Sequence, residues 1–370
     1  MKPKKVIKIF AVPSHAAKER VSGVDFARVI QPVSHLDGYK DKDVEFKVQI
    51  YDAKLNETMN WLEVTAENDI LFLNYTTNPW SFAIMGCLAR KHKRKIVLDL
   101  DDALWDCLPD NTAYEVFKEG SEGIKNFTSI CNEVDYVACT NDYLRNVVVY
   151  NSTKYHDKIK VFPNYVDFKL YSHRSPFKDT HQIQLTHFGS SSHFKSLQDE
   201  EFAKGVDKVF KEYPNVIFKT VGALLPKYKM RWGARYFHDF GDVDIYKWIK
   251  DKFPGFMDET DIIVAPLSDN VYNRSKSSIK FIEASSAKKA GVWQDIRQYQ
   301  EVIKDGENGF LAKRAEEWYQ AIKKLIDDKK LRKKVGENAF KTVKKDWQIK
   351  DHIKDYAEFF KAILVLDKEK

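Results

Sequence analysis

DIIVAPLSDNVYNRSKSSIKFIEASSAKKAG, residues 261–291, holds the organisation of the chain in miniature. A short continuous apolar run ends at Pro266–Leu267, a polar loop follows, and a helix begins near Ser277. A buried strand that feeds a helix through a loop is the repeating unit of a parallel α/β sheet. The start of such a helix presents unpaired backbone N–H groups and the positive end of the helix dipole, which favour an anion. Ser277 and Ser278 lie at that start, with Arg274 and Lys276 just before it. Glu283 comes about two turns into the helix, where a carboxylate can accept hydrogen bonds from a vicinal diol such as a ribose. Its flanks, FIEAS, are small and apolar; the plainer alternative is a solvated helix residue.

Similar units recur on both sides. VIKIFAV (6–12), DILFLN (69–74), KIVLDL (95–100), DYVACT (135–140) and IKVFPN (159–164) are of strand length, mostly with helical segments between them. The polar stretch YSHRSPFKDTHQ (171–182) reads as a linker. A second series, IQLTHFG (183–189), NVIFKTVG (215–222), DIIVAPL (261–267) and AGVWQD (290–295), follows it. Between the first two, Phe202, Val206, Val209, Phe210 and Tyr213 share one helical face, with Ser196 and Asp199 expected to form a capping box. DGENGFL (305–311) carries a turn signature, and the lysine-rich tail is helical, with Ile353, Tyr356, Phe360 and Ile363 at core-facing spacing. The expected fold is α/β, with two Rossmann-like, doubly wound parallel-sheet domains facing across a cleft. Residues 1–172 form the first domain, 173–349 the second, and the final helix, 350–370, crosses back to the first. In such sheets ligands bind outside the C-terminal ends of the strands.

Bulk properties narrow the class. At 370 residues the chain suits two domains of ordinary size, and an apolar share of 43% is enough for packed cores. Cys87, Cys107, Cys131 and Cys139 lack metal-ligand spacing and read as reduced cytosolic thiols. The start, MKPKKVIKIFAV, is too short and too alternating in its apolar part for a signal peptide, and no stretch is apolar enough to span a membrane. The expected location is the cytoplasm, with peripheral contact at the inner membrane face as a further option. A net charge of +7 suits acidic partners such as nucleotides, anionic lipid or nucleic acid, or simply a solvated lysine-rich surface.

Two loops join Glu283 as candidates. HFGSSSHFKSL (187–197) runs from a strand into a Gly-Ser loop, where Gly189 and Ser190 let backbone N–H groups approach a phosphate and Lys195 adds a point charge. KIVLDLDDALWD (95–106) places Asp99, Asp101 and Asp102 where a strand leaves the core. Acid at that position is a metal site, a polar group aimed at a substrate, or a helix cap.

In their order and spacing these stretches resemble the retaining GT-B glycosyltransferases of group 1, or family 4, type. The resemblance runs through most of the chain: GVDFARVIQP (23–32), KIVLDLDDALW, VDYVACTNDYL (134–144), KVFPNYVD (160–167), GSSSHFKSL, APLSDNVYNRSKSSIKFIE and DGENGFL. It implies transfer of a sugar from a nucleotide-sugar donor to an acceptor hydroxyl, with retention, a diphosphate leaving group and no metal or other cofactor. UDP is the commonest nucleotide. Glu283 matches the second glutamate of the family's pair, which binds the ribose, and Lys195 matches the pyrophosphate lysine. The family's arginine after the loop glycine is Ser190 here, and the first glutamate falls at Ser275, so Lys276 or Arg274 is expected to supply positive charge. Asp101, with Asp102 following, stands where many relatives carry a histidine near the donor sugar; these two are the catalytic candidates. Asp99 is read as part of the strand's own hydrogen bonding. His15, Arg20 and Arg28 are candidates on the acceptor side.

The acceptor stays open between a glycan or lipid-linked sugar and a hydroxymethylated base in double-stranded DNA, as in phage-like DNA-modifying members. KHKRK (91–95) and PKYKMRWGARYF (226–237) interleave basic and aromatic residues that could grip phosphates and stack on bases. From a different class, a non-catalytic GT-B scaffold that binds nucleotide or nucleic acid also fits the departures at Ser190 and Ser275.

Overall fold

The computed structural model describes residues 4–14, 21–51, 61–75, 78–109, 111–171, 181–189, 197–222, 224–239 and 245–365. Two six-stranded sheets, all parallel, organise the chain. The first has the order β2-β1-β3-β4-β5-β6 and is built from β1 (Lys5–Val12), β2 (Val44–Ile50), β3 (Ile70–Asn74), β4 (Lys95–Leu100), β5 (Tyr136–Cys139) and β6 (Ile159–Val161). The second has the order β12-β11-β10-β7-β8-β9. Its strands are β7 (Ile183–Gly189), β8 (Val216–Gly222), β9 (Tyr236–Asp239), β10 (Ile262–Ala265), β11 (Ala290–Gln294) and β12 (Phe310–Ala312). The strand order reverses between β1 and β3 in one sheet and between β7 and β10 in the other. At each reversal the flanking connections leave in opposite directions, which opens a crevice at the strand ends.

The central strands are buried on both faces and read as continuous apolar runs; β3, β5, β10 and β11 are buried along their whole length. Strands β2 and β9 were not expected from the sequence. Both lie at sheet edges, where one side of the backbone is unpaired; β2 alternates polar with apolar residues, and β9, YFHD, is only four residues long. The helix Glu200–Glu212 is capped by Asp199 itself, whose carboxylate accepts from the Phe202 N–H at 2.9 Å. This replaces the expected capping box; Ser196 lies outside the described residues. Strands β7 and β8 end side by side in Gly189 and Gly222. Gly222 has φ +91°, and a Cβ there would fall 2.4 Å from the Gly189 carbonyl oxygen, so only glycine fits.

The helix Ile349–Val365 packs on the first sheet: Ile353, Tyr356, Phe360 and Ile363 share a core with Ile7, Ile9, Phe72 and Val97. Tyr356 stacks on Phe162 with ring centres 4.0 Å apart. Just before that helix, Trp347–Ile349 runs beside Val166, held by Val166 N–H to Trp347 O and Ile349 N–H to Val166 O, both at 3.0 Å. The 160s and the 340s thus cross between the two halves as a hydrogen-bonded pair. Residues 172–180, most of the expected linker, lie outside the described residues.

Parts of the two basic segments are engaged in the fold. Tyr228, Trp232 and Tyr236 are core residues, Tyr228 and Trp232 stacked at 4.2 Å, and Arg231 is bidentate on Asp207. In KHKRK, Arg94 pairs with Asp69 and Lys95 with Asp135. Aromatics packed inside a core cannot stack on bases, so Tyr228, Trp232 and Tyr236 serve packing, while Phe237 of the same segment stays exposed.

Candidate functional site

The C-terminal ends of β4, β5 and β6 face the segment 270–278, which leaves β10 and leads into the helix Ile279–Ser286. This seam is stitched by polar contacts. Ser275 Oγ accepts from the Ala103 N–H (3.2 Å) and donates to Tyr272 O (2.7 Å). Asn141 caps the helix Asp142–Asn151 and also donates to Ser275 O at 2.7 Å. Asn164 donates to Ser277 Oγ at 2.8 Å and to Asp101 Oδ1 at 3.1 Å. Ser275 is fully buried, so the position of the family's first glutamate is filled here by a residue that holds the two halves together.

Across the seam Asp102 meets a cation. Its Oδ1 accepts from Lys276 Nζ at 2.7 Å and its Oδ2 from the Tyr272 hydroxyl at 2.9 Å. Lys276 also lies over the Tyr272 ring, 4.5 Å from its centre. The backbone of this turn is anchored from below: the N–H groups of Asp101 (2.5 Å) and Asp102 both donate to the Tyr75 hydroxyl. Tyr75 follows β3 directly, with φ +34°, a backbone cost of order 1–3 kcal/mol that local packing must offset. Asp101 is pushed up to about 6 by burial and by the charge of Asp102 beside it.

Arg28 does not reach an acceptor, contrary to its reading from the sequence. It emerges from the wide-turned helical stretch Asp25–Ile30 and is 1% exposed. Its guanidinium clasps Asp99 in two bonds (3.0 and 2.6 Å) and donates to Phe162 O (2.6 Å) and Asn164 Oδ1 (2.8 Å). Asp99, also bonded by Asn74 at 3.2 Å, serves the strand ends rather than a ligand. The three aspartates of DLDD therefore face different partners, and among the described residues no group of three or more potential metal ligands comes together.

On the second sheet, Glu283 accepts from the Tyr171 hydroxyl at 3.1 Å and is pushed up to about 7 by burial. One turn earlier, Lys280 lies over the end of β7 at Gly189. Ser278 begins the helix and is buried, whereas Arg274 turns outward onto Asp269 (2.5 and 3.0 Å). The structure thus brings Asp101, Asp102, Lys276 and Ser277 to one seam, and Glu283 close to Gly189 through Lys280. His15, Arg20, Ser190 and Lys195 lie outside the described residues. Tyr75, Asn164, Tyr171, Tyr272 and Lys280 were not singled out from the sequence. Only Lys280 had a local signal, its three-residue spacing from Glu283 on one helix face.

Two parallel Rossmann-like sheets meeting at their C-terminal ends define the GT-B class of fold. Residues 185–328 match the family profile described as "Glycosyl transferases group 1", so this span carries a group 1 glycosyltransferase domain. No curated protein matches the sequence. Among solved structures the chain is similar to Anabaena HepE in complex with UDP-glucose, at 16% identity and TM-score 0.68, over 96% of this chain and 100% of that one. It is similar to a glycosyltransferase from Rickettsia africae at 16% identity and TM-score 0.65, over 97% and 99%. It is also similar to the sucrose-phosphate synthase of Thermosynechococcus elongatus at 13% identity and TM-score 0.60, over 97% and 100%. At these identities the likeness is one of fold.

Proposed function

We propose that the protein moves a sugar from a UDP-sugar to a hydroxyl of a glycan or lipid-linked glycan, with retention at the anomeric carbon and UDP as leaving group. The observation that carries this is the bond of Asp102, just past β4, to Lys276, just before the helix Ile279–Ser286. Negative charge grows on the departing diphosphate as the anomeric carbon becomes positive. A seam with cations and a helix start on one side and carboxylates on the other matches that separation of charge. The UDP-glucose complex of HepE, a protein of the same fold, supports the choice of donor. Glu283, oriented by Tyr171, takes the ribose diol. Asp101 faces the sugar or the acceptor hydroxyl, and the departing phosphate oxygen accepts the acceptor's proton on the same face. We assign no metal or other cofactor, the cationic part being taken by lysines, and place the enzyme in the cytoplasm.

The test is a panel of UDP- and GDP-sugars with glycan acceptors, read by mass spectrometry and by the anomeric coupling of the product. A retained anomeric configuration with a UDP-sugar is the expected result. An inverted product would sink the retaining mechanism, and absence of both transfer and donor hydrolysis would sink the enzyme reading.

A lipid-linked acceptor is favoured by one surface. On the helix Pro79–Lys91, Trp80 is 80% exposed and Ile84, one turn on, 57% exposed, with Arg90, Lys91 and Lys93 at its far end and no acidic residue from 79 to 95. An exposed apolar face bordered by basic residues suits an anionic bilayer. The protein is expected to co-sediment with vesicles containing phosphatidylglycerol and to lose that binding about tenfold or more in Trp80→Ser/Ile84→Ser. Equal sedimentation of both proteins would remove the support for a lipid-borne acceptor. Among the described residues no helix is long and apolar enough to cross the membrane.

A further inference from the structure

Asn164 follows β6 in the stretch KVFPNYVD and is 1% exposed. Its side-chain amide has partners from three separate parts of the chain. Oδ1 accepts from the Arg28 guanidinium at 2.8 Å, and Nδ2 donates to Asp101 Oδ1 at 3.1 Å and to Ser277 Oγ at 2.8 Å. The sense of that amide is forced. A guanidinium only donates and an ionised carboxylate only accepts, so turning the group over would set N–H against N–H and oxygen against oxygen. Arg28 is fixed in turn by both oxygens of Asp99 and by Phe162 O. Both amide hydrogens are thereby aimed at the seam, one at an acid of the first half and one at the residue before the helix cap Ser278 of the second.

The two neighbouring aspartates are held differently. Asp102 spends one oxygen on Lys276 and the other on Tyr272. Among the described residues the Asp101 carboxylate is bonded by Asn164 alone, through Oδ1, while the Asp101 N–H goes to the Tyr75 hydroxyl. Burial and the charge of Asp102 push Asp101 upward, and Arg28, Lys276 and the Asn164 bond oppose that push. Tyr75 beneath the turn and Lys280 on the helix Ile279–Ser286 also reach it electrostatically. Of these groups only Asn164 bonds the carboxylate directly, so it sets the direction of that group as well as its hold on a proton.

We propose that Asn164 is a positioning residue for the transfer reaction: with its amide oriented by Arg28, it fixes the Asp101 carboxylate and ties it to Ser277 across the seam. One amide thus sets an acid of the first half relative to the helix start of the second. The buried brace of Arg28 and Asp99 acts on the site through this one side chain, and the second oxygen of Asp101 is left for the sugar or the acceptor hydroxyl. The inference rests on the glycosyl-transfer reading above, and the experiment separates the two.

Asn164→Asp and Asn164→Leu are compared with the wild type in two ways. One is an NMR titration of the Asp101 carboxyl carbon, assigned with Asp101→Asn; the other is kcat against pH with a UDP-sugar. Asn164→Asp keeps an acceptor for Arg28, so it carries the test if Asn164→Leu does not fold. In both variants the Asp101 midpoint is expected to rise by about one pH unit or more, because a bond to the charged form is lost. The rise should be larger in Asn164→Asp, which adds a negative charge. The acid limb of kcat should move with the midpoint, and the plateau should fall about 10- to 100-fold as the carboxylate loses its direction. A side chain needed only for packing would lower the melting temperature and leave midpoint and limb in place. That result in Asn164→Asp overturns the inference and leaves the enzyme reading standing. A wild type that neither transfers nor hydrolyses a UDP-sugar overturns the reading and the inference together, whatever the titration shows.

Discussion

Replacing Arg28 with methionine is expected to lower stability by about 3–5 kcal/mol. Arg28 and Asp99 are each 1% exposed and joined by two bonds. Methionine would fill much of the volume but leave the Asp99 carboxylate buried without its counter-charge. Burial already pushes Asp99 upward, and the Arg28 charge opposes that push. Two further acceptors, Phe162 O and Asn164 Oδ1, would lose their donor. The damage would reach the seam, because the same Asn164 donates to Asp101 and Ser277. Urea denaturation followed by circular dichroism measures the loss. The double variant Arg28→Met/Asp99→Leu is expected to recover most of it, since a well-packed apolar pair can replace a buried ion pair at little cost. A cost below about 1 kcal/mol for Arg28→Met would show that the pair is not what braces these strand ends.

Asp101→Asn is expected to lower kcat about 100-fold while leaving stability at neutral pH unchanged or slightly higher. The amide keeps an oxygen to accept from Asn164 and removes a second negative charge next to Asp102. Under the proposed function, what it removes is the charge that would face the positive anomeric carbon. With Asp101 held at about 6, the wild-type rate should fall as pH drops through that value, and the variant should lack this limb. Stability moves the opposite way. A carboxyl raised from 3.8 to about 6 on folding binds more protons folded than unfolded, so its contribution to stability falls as pH rises across that window. Opposed trends in rate and stability over the same pH range mark a group kept for function. A flat wild-type rate through pH 6, or full activity in Asp101→Asn, would reduce DLDD to a strand-end anchor.

Much of this was legible in local sequence. Continuous apolar runs marked the interior strands, because a strand covered on both faces needs no polar alternation. DLDD and the stretch 274–283 fell at strand ends and helix starts, where a parallel sheet puts its ligands. The edge strands β2 and β9 were missed because exposure lets their pattern mix with that of loops, and β9 was read as part of a basic–aromatic patch. Arg28 was misjudged for another reason. An arginine on an apolar helix face looks alike from the sequence whether it meets solvent, a ligand or a buried acid.

The sequence by itself determined the two parallel sheets, their order along the chain and the loops that face the seam, since these follow from local periodicity and turn chemistry. Tertiary structure alone decided which charge does which work. Arg28 is 71 residues from Asp99, and Asp102 is 174 from Lys276, so no local pattern announces either pair. Burial sets the cost of each charge, and the fold chooses the partner that offsets it. Among the aspartates of DLDD, one was thereby given to a brace with Arg28, one to a bond across the seam with Lys276, and Asp101 to Asn164 at the strand ends.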